Sequence, residues 1–298
     1  MDLYFMSPPH PAWSLRGRAN FRSRAAAEVD ATRARLEWLT LAEGIEALGG
    51  TVVVLEPPSA EMTGLPYAAE AGHPLPPLRP GGKPRFLLPR MKPEHRRAEK
   101  EVWRPLFEAL GFEAIELGVG IWEGQGDVAS FDGTTILFWG GRTDRVGAQT
   151  ARGHFPGEVL EIEIREPAFH GNMGLLPLAH ADVLFVCADV IEEDSLAVLE
   201  ARFGKDRMHL VSEDEIRLYA TNGLPVGDTL LAPSILPERV RKAIERSGMK
   251  VAELSMPELC EKAGGASRCL VCKFEGAPDT ISIPEAMRLE TQKRKIRS

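Results

Sequence analysis

The stretch LPVGDTLLAPSILPERVRKAIERSGMKVAEL, Leu224 to Leu254, decides the architecture. Leu224–Val226 and Thr229–Ala232 are two short apolar runs joined by a turn, Pro237–Ser247 has helical spacing, and Lys250–Leu254 is a third strand. The same order recurs upstream. Strands near Asp127–Phe131 and Ile136–Trp139, a helical stretch beginning near Val146 and a strand at Val159–Ile164 form one instance. Val183–Val186, a helix at Asp194–Phe203 and Met208–Val211 form another. The spacing of roughly 50 residues is at the upper end of periods that signal repeat or propeller architectures. Earlier helix–strand pairs supply two further modules. The reading is an α/β chain of about five ββαβ units closing into one ring, a single domain over residues 1–274.

Those earlier pairs begin with a long helix from Ala25 to about Leu48. Its apolar positions Val29, Leu36, Leu39, Ile45 and Leu48 follow helical spacing, and Gly49-Gly50 stops it. Val52–Leu55 is a buried strand. Pro57 to Pro84 is a long loop rich in proline and glycine, a kind that tends to be functional or disordered. Arg85–Leu88 is a strand, followed by a helix from about Pro93 to Leu110 with Pro105 as a kink. Residues 275–298, with the basic Lys293-Arg294-Lys295, fall outside the period and form an appended helix or a mobile tail.

Of 298 residues, 44% are hydrophobic and 27% charged, an ordinary globular balance. The formal net charge of -7 argues against bulk binding to nucleic acid or anionic membranes and is compatible with a cationic small substrate. No apolar run approaches the roughly 20 residues a membrane helix needs. The N-terminus lacks the basic region and apolar core of a signal peptide, so the expected location is the cytoplasm. Four cysteines, Cys187, Cys260, Cys269 and Cys272, are too few for a disulfide framework in a chain this long.

Gly264-Gly265-Ala266-Ser267-Arg268-Cys269 is a glycine-rich turn that delivers one thiol to a short apolar strand, Leu270–Phe274. A nucleophilic cysteine suits that place, and Arg268 supplies a positive field favouring the thiolate. Cys269 and Cys272 spell C-x-x-C. Positions three apart on a strand point to opposite faces, and no second ligand pair occurs, so no metal site is expected there. His170, in Ala168-Phe169-His170-Gly171-Asn172-Met173-Gly174, stands at a junction of two modules and is the candidate proton shuttle. In Trp122-Glu123-Gly124-Gln125-Gly126-Asp127, glycines bring backbone close to a ligand and an acid starts a strand.

Together and in this order, these segments resemble the guanidino-group-modifying enzymes: arginine deiminases, dimethylarginine dimethylaminohydrolases, arginine dihydrolases and amidinotransferases. The resemblance covers Met1 to Phe274. Glu123 to Asp127 is similar to a Glu-Gly-Gly-Asp motif with one glycine expanded to Gln-Gly. Gly141-Arg142-Thr143 is similar to the Arg-Thr turn that follows it, Tyr67–Gly72 to a Phe-Thr-Ala-Asn-Ala-Gly or Phe-Thr-Arg-Asp motif, and Pro93–Glu99 to an Arg-Arg-Gly-Glu helix start. The resemblance implies the pentein fold, a five-bladed α/β propeller, and a hydrolase that attacks a guanidino carbon without metal or cofactor.

In that chemistry Cys269 is the nucleophile and His170 the acid and base. Glu123 and Glu70 flank the planar guanidinium, which carboxylates bind bidentately. Arg142 and Arg96 are candidates to hold a substrate carboxylate. The family usually has Asn or Asp where this chain has Glu70, and deiminases and amidinotransferases usually have Asp where it has Asn172, so the substrate stays open. An amidinotransferase, in which an amine replaces water, and a non-catalytic propeller used for binding are the alternatives. The partner expected is a small guanidino compound; a homo-oligomer stays open.

Overall fold

The computed structural model describes residues 1–16 and 20–297. It contains five three-stranded sheets of one topology, the expected five-bladed α/β propeller. In each, a first strand pairs antiparallel with a second, and the second pairs parallel with a third reached through a helix. The first blade holds β1 (Leu3–Met6) and β2 (Thr51–Val54). The second holds β3 (His73–Leu75), β4 (Arg85–Leu88) and β5 (Glu113–Glu116). The third holds β6 (Val128–Phe131), β7 (Thr134–Trp139) and β8 (Glu158–Glu163). The fourth holds β9 (Leu175–Leu178), β10 (Val183–Val186) and β11 (Met208–Leu210). The fifth holds β12 (Leu224–Val226), β13 (Thr229–Pro233) and β14 (Lys250–Leu254). β15 (Cys272–Phe274) then returns to the first blade, placing Phe274 opposite Leu3 and Cys272 opposite Phe5. The last strand of the ring thus closes on the first.

The middle strands β1, β4 and β13 are buried at every residue, as expected for strands with parallel neighbours and both faces covered. The helices are α1 (Phe21–Ala25), α2 (Ala31–Ala47), α3 (Glu99–Ala109), α4 (Arg145–Arg152), α5 (Glu193–Phe203), α6 (Glu213–Ile216), α7 (Glu238–Arg246) and α8 (Leu289–Arg297). On α2, Trp38, Leu41 and Ile45 are buried in one cluster with Tyr4, Met6, Val52 and Val54, clamping the blade that closes the ring. In α8, Leu289 joins the same cluster, and Lys293 and Arg297 each reach Glu43 of α2 at 2.7 Å. Among the described residues no helix is long and apolar enough to cross a membrane.

The helix expected from Ala25 to Leu48 starts only at Ala31, after the separate α1 ends at Ala25. Asp30 is extended and its side chain accepts from Arg33 N, an N-cap that starts α2 afresh. Leu36 and Leu48, placed on the buried stripe by spacing, are exposed. The proline-rich loop has structure of its own, a 3-10 turn at Ala68–Ala71 and then β3. The helix expected from Pro93 opens with a separate 3-10 turn, Glu94–Arg96, before α3. The strand expected from Leu270 begins only at Cys272, leaving Cys269 on the turn that precedes it.

Candidate active site

Five short segments precede the five first strands, and every candidate side chain but two lies in one of them. Glu70 precedes β3, Glu123 precedes β6, His170 and Asn172 precede β9, and Cys269 precedes β15. The segment before β12 supplies Asn222, which the sequence reading missed. Only Arg96 and Arg142 come from elsewhere, the 3-10 turn before α3 and the Gly141–Thr143 turn after β7. The repeat is therefore also the reason for the site: each module carries one polar turn to a common centre.

Glycine makes two of these approaches possible. Gly124 has φ +64°, and a Cβ there would lie 2.7 Å from Gly72 N, so the turns of Glu70 and Glu123 can touch only backbone to backbone. At Gly126 a Cβ would sit 3.0 Å from the His170 ring.

His170 is fully buried, with Nε2 2.7 Å from Glu123 Oε2 and Nδ1 3.5 Å from Glu70 Oε1. Asp127 accepts from Thr143 Oγ1 at 2.6 Å and from Gly171 N at 2.8 Å, fixing the backbone beside the imidazole. Glu123 accepts a further bond from Lys92 N at 2.8 Å. Burial alone would raise the Glu123 carboxyl, yet His170, Arg142 and Arg96 together hold it well below the usual carboxylate range. Burial dominates at Asp127 and pushes it up, against the pull of His170, Thr143 and Gly171 N.

Glu70 is not a free carboxylate. It pairs with Arg96, whose Nε and Nη2 grip Glu99 at 2.7–3.0 Å and whose Nη2 also donates to Gly64 O at 2.9 Å. Arg142 lies over the Phe169 ring at 4.7 Å, with Nη1 3.5 Å from Glu123 Oε2 and 3.8 Å from Glu70 Oε2. A guanidinium therefore already stands between the two carboxylates. Glu70, Glu123 and His170 also offer three ligand atoms within 4.8 Å of one another, the one such group among the described residues. With Arg96 and Arg142 on the same oxygens, a cation there would meet two positive charges.

Cys269 is 2% exposed, with Sγ 3.7 Å from Asn172 Nδ2. Burial raises its thiol; Asn222, Arg268, Asn172 and the backbone at Ala266 pull the other way without cancelling it. The positive field expected from Arg268 is present, but burial outweighs it. Behind it, Glu37 of α2 accepts from Glu258 N and Leu259 N at about 3.0 Å, anchoring the π-helical turn Pro257–Lys262 that leads into Gly264-Gly265.

Cys269, Glu70, Arg96 and Arg142 line a small cavity of about 70 Å³ together with Trp13, Tyr67 and Phe169. Glu123 and His170 lie behind that wall. Asn172 instead borders a separate cavity of about 490 Å³, walled by residues of β3, β6, β9, β12 and β15 and hence on the ring axis. In this second cavity His73 has a buried Nδ1 without a partner, and burial, helped by Arg268, pushes the imidazole down to about 3. An unfolded His binds a proton below about 6.5, whereas folded His73 stays neutral to about pH 3, so stability falls as pH drops through that window, by at most roughly 1.4 kcal/mol per pH unit. His73→Gln is expected to flatten the loss of urea-unfolding stability between pH 7 and 5; an unchanged slope would remove His73 as its source.

No protein-family model matches the chain. It is 24% identical over 256 residues to the uncharacterized protein ZK1307.1 of Caenorhabditis elegans, covering 83% of this chain and 85% of that protein. Its fold matches the N-terminal domain of ArgZ, an arginine dihydrolase from the ornithine–ammonia cycle in cyanobacteria, with a TM-score of 0.82 and 23% identity over 91% of this chain and 97% of that one. AgrE, solved with ornithine and NAD+, matches with a TM-score of 0.82 and 21% identity over 95% of this chain but 41% of its own. A dimethylarginine dimethylaminohydrolase matches with a TM-score of 0.67 and 19% identity over 91% of this chain and 99% of that one. The chain thus shares the five-bladed α/β propeller fold of these solved structures.

Proposed function

We propose, from this fold and the cluster at its centre, that the chain is a hydrolase cleaving a carbon–nitrogen bond of an arginine-like guanidino compound through a covalent intermediate on Cys269. The observation that carries the reading is the convergence of one thiol, a buried imidazole–carboxylate pair and two carboxylates holding a guanidinium. Related chemistry is supported by an ArgZ N-terminal domain covalently bound to a reaction intermediate, a cysteine-to-serine ArgZ bound to substrate and a cysteine-to-alanine AgrE bound to L-arginine.

Arg142 holds the place a substrate guanidinium would take between Glu70 and Glu123. Binding displaces it outward, where its planar fork can hold the substrate carboxylate. Arg96 stays with Glu99 and Glu70. An incoming cation beside the thiol favours passage of its proton to the His170 imidazole, offsetting the cost of burial. The thiolate attacks the guanidinium carbon, the imidazolium of His170 protonates the departing nitrogen, and ammonia or an amine leaves a thiouronium on Sγ. His170 then takes a proton from water, which attacks the same carbon; the carbon–sulfur bond breaks to give a ureido product and the thiol.

The test is a screen of guanidino compounds for ureido product and for ammonia or amine release. Adding glycine, ornithine or lysine as acceptor separates hydrolysis from amidino transfer, since a new guanidino compound formed without ureido product assigns a transferase. Glu70→Gln is expected to weaken binding of the best guanidino ligand by about 1.5–3 kcal/mol, the worth of a charge-assisted hydrogen bond. It also leaves Arg96 with Glu99 as its one carboxylate, so the unfolding midpoint should fall as well. Unchanged affinity by calorimetry would take Glu70 out of the binding site.

A further inference from the structure

The 3-10 turn Gly124–Asp127 has a third polar side chain besides Glu123 before it and Asp127 at its end. Gln125 is 3% exposed and points to the other half of the site. Its Nε2 donates to Lys273 O at 2.6 Å, and its Oε1 accepts from Lys273 N at 2.8 Å and from Arg268 Nη2 at 3.1 Å. The amide pairs with the backbone of β15 as a neighbouring strand would. Arg268 is completed by Nη1 donating to Val271 O at 2.7 Å, and it forms no ion pair among the described residues.

We propose that Gln125 is a positioning residue for the nucleophile: it ties the strand after Cys269 to the turn that orients His170, and it holds the guanidinium of Arg268, the residue before Cys269. The proposal rests on Cys269 as the nucleophile. One short turn and the residue before it then register both halves of the chemistry, with Glu123 and Asp127 setting the imidazole and Gln125 setting the thiol. A neutral amide suits the task, because it satisfies Arg268 without neutralising it. The titratable groups bearing on the thiol are Arg268, Tyr67, Tyr219 and Cys260, and Arg268 itself also faces Cys272, Glu275 and Tyr4. Across the cavity, Glu70, Arg96 and Arg142 are paired among themselves. Arg268 is the unpaired cation of the set.

The experiment is iodoacetamide labelling of the full chain without substrate from pH 6 to 10, with the Cys269 peptide quantified by mass spectrometry. The thiolate displaces iodide and forms a thioether, so the rate reports the reactive sulfur whatever the natural substrate. Gln125→Glu keeps the acceptor toward Lys273 N and Arg268 but neutralises that charge. Its labelling profile is expected to move to higher pH, with labelling near neutrality slowed about tenfold per unit of displacement. Gln125→Ala is expected to lower kcat by roughly 10–100-fold with KM little changed, the signature of a misplaced reacting group. Should the alanine variant not fold, the glutamate variant carries the test. A wild-type labelling profile in Gln125→Glu, with Cys269 still essential for turnover, would overturn this proposal alone. Turnover surviving in Cys269→Ser would instead remove the reading beneath it.

Discussion

Cys269→Ser is expected to lower kcat by roughly 10³-fold or more and leave the fold intact, because a serine hydroxyl cannot ionise near neutral pH as a thiol can. The fold has little stake in the sulfur. The sulfur's contacts with the Asn172 amide, at 3.7 and 4.0 Å, are weak, so thermal unfolding should change by less than about 1 kcal/mol. Cys272 provides the control. Its sulfur is fully buried against Gly72 O at 3.8 Å, and burial pushes its thiol far up, so Cys272→Ser should keep most of the activity. Wild-type enzyme quenched during turnover should carry the substrate-derived mass on the Cys269 peptide. An essential Cys272 with a dispensable Cys269 would sink the assignment.

The period of the modules was legible because the middle strands and helices write it plainly. Val183–Val186, Thr229–Ala232 and the helices after them are apolar runs and amphipathic stretches of ordinary kind. Two first strands were harder to read. β3 and β9 are His-Pro-Leu and Leu-Leu-Pro-Leu, and a proline counts against a central strand, whereas β12, Leu-Pro-Val, was legible beside its partner. All three are edge strands, where proline is tolerated and also discourages further pairing. The unread β9 hid Asn222, because it left no first strand to set beside β12. Its place before β12 matches that of His170 and Asn172 before β9, so aligning the modules on their first strands would have found it.

Side-chain partners are another matter. Glu70 and Arg96 lie 26 positions apart within one module, and Gln125 and Lys273 148 apart. No periodicity pairs such residues; packing within the second blade joins the first pair, and the closure of the propeller joins the second. The motif segments could therefore name Glu70 and Arg96 as site residues but not that they neutralise each other. That pairing changes the chemistry expected of them. It leaves Arg142, 12% exposed and held by longer contacts, as the cation able to move when substrate arrives.

Removing the imidazole tests the other half of the mechanism. His170→Ala is expected to lower kcat by roughly 10²–10⁴-fold while leaving KM within a few-fold, the usual worth of a positioned general acid and base. Geometry favours that split. His170 is fully buried behind the cavity wall, and its Nε2 is taken by Glu123 at 2.7 Å, so its ring contributes little to ground-state binding. Glu123→Gln bears on the same step by another route. It keeps the shape but removes the anion that stabilises an imidazolium and half of the cradle around Arg142, so both kcat and KM should worsen. A His170→Ala enzyme within tenfold of wild type would assign proton transfer to another group. Asp127 would then be first to test, since burial already holds it above the ordinary aspartate range, 4.0 Å from the same imidazole.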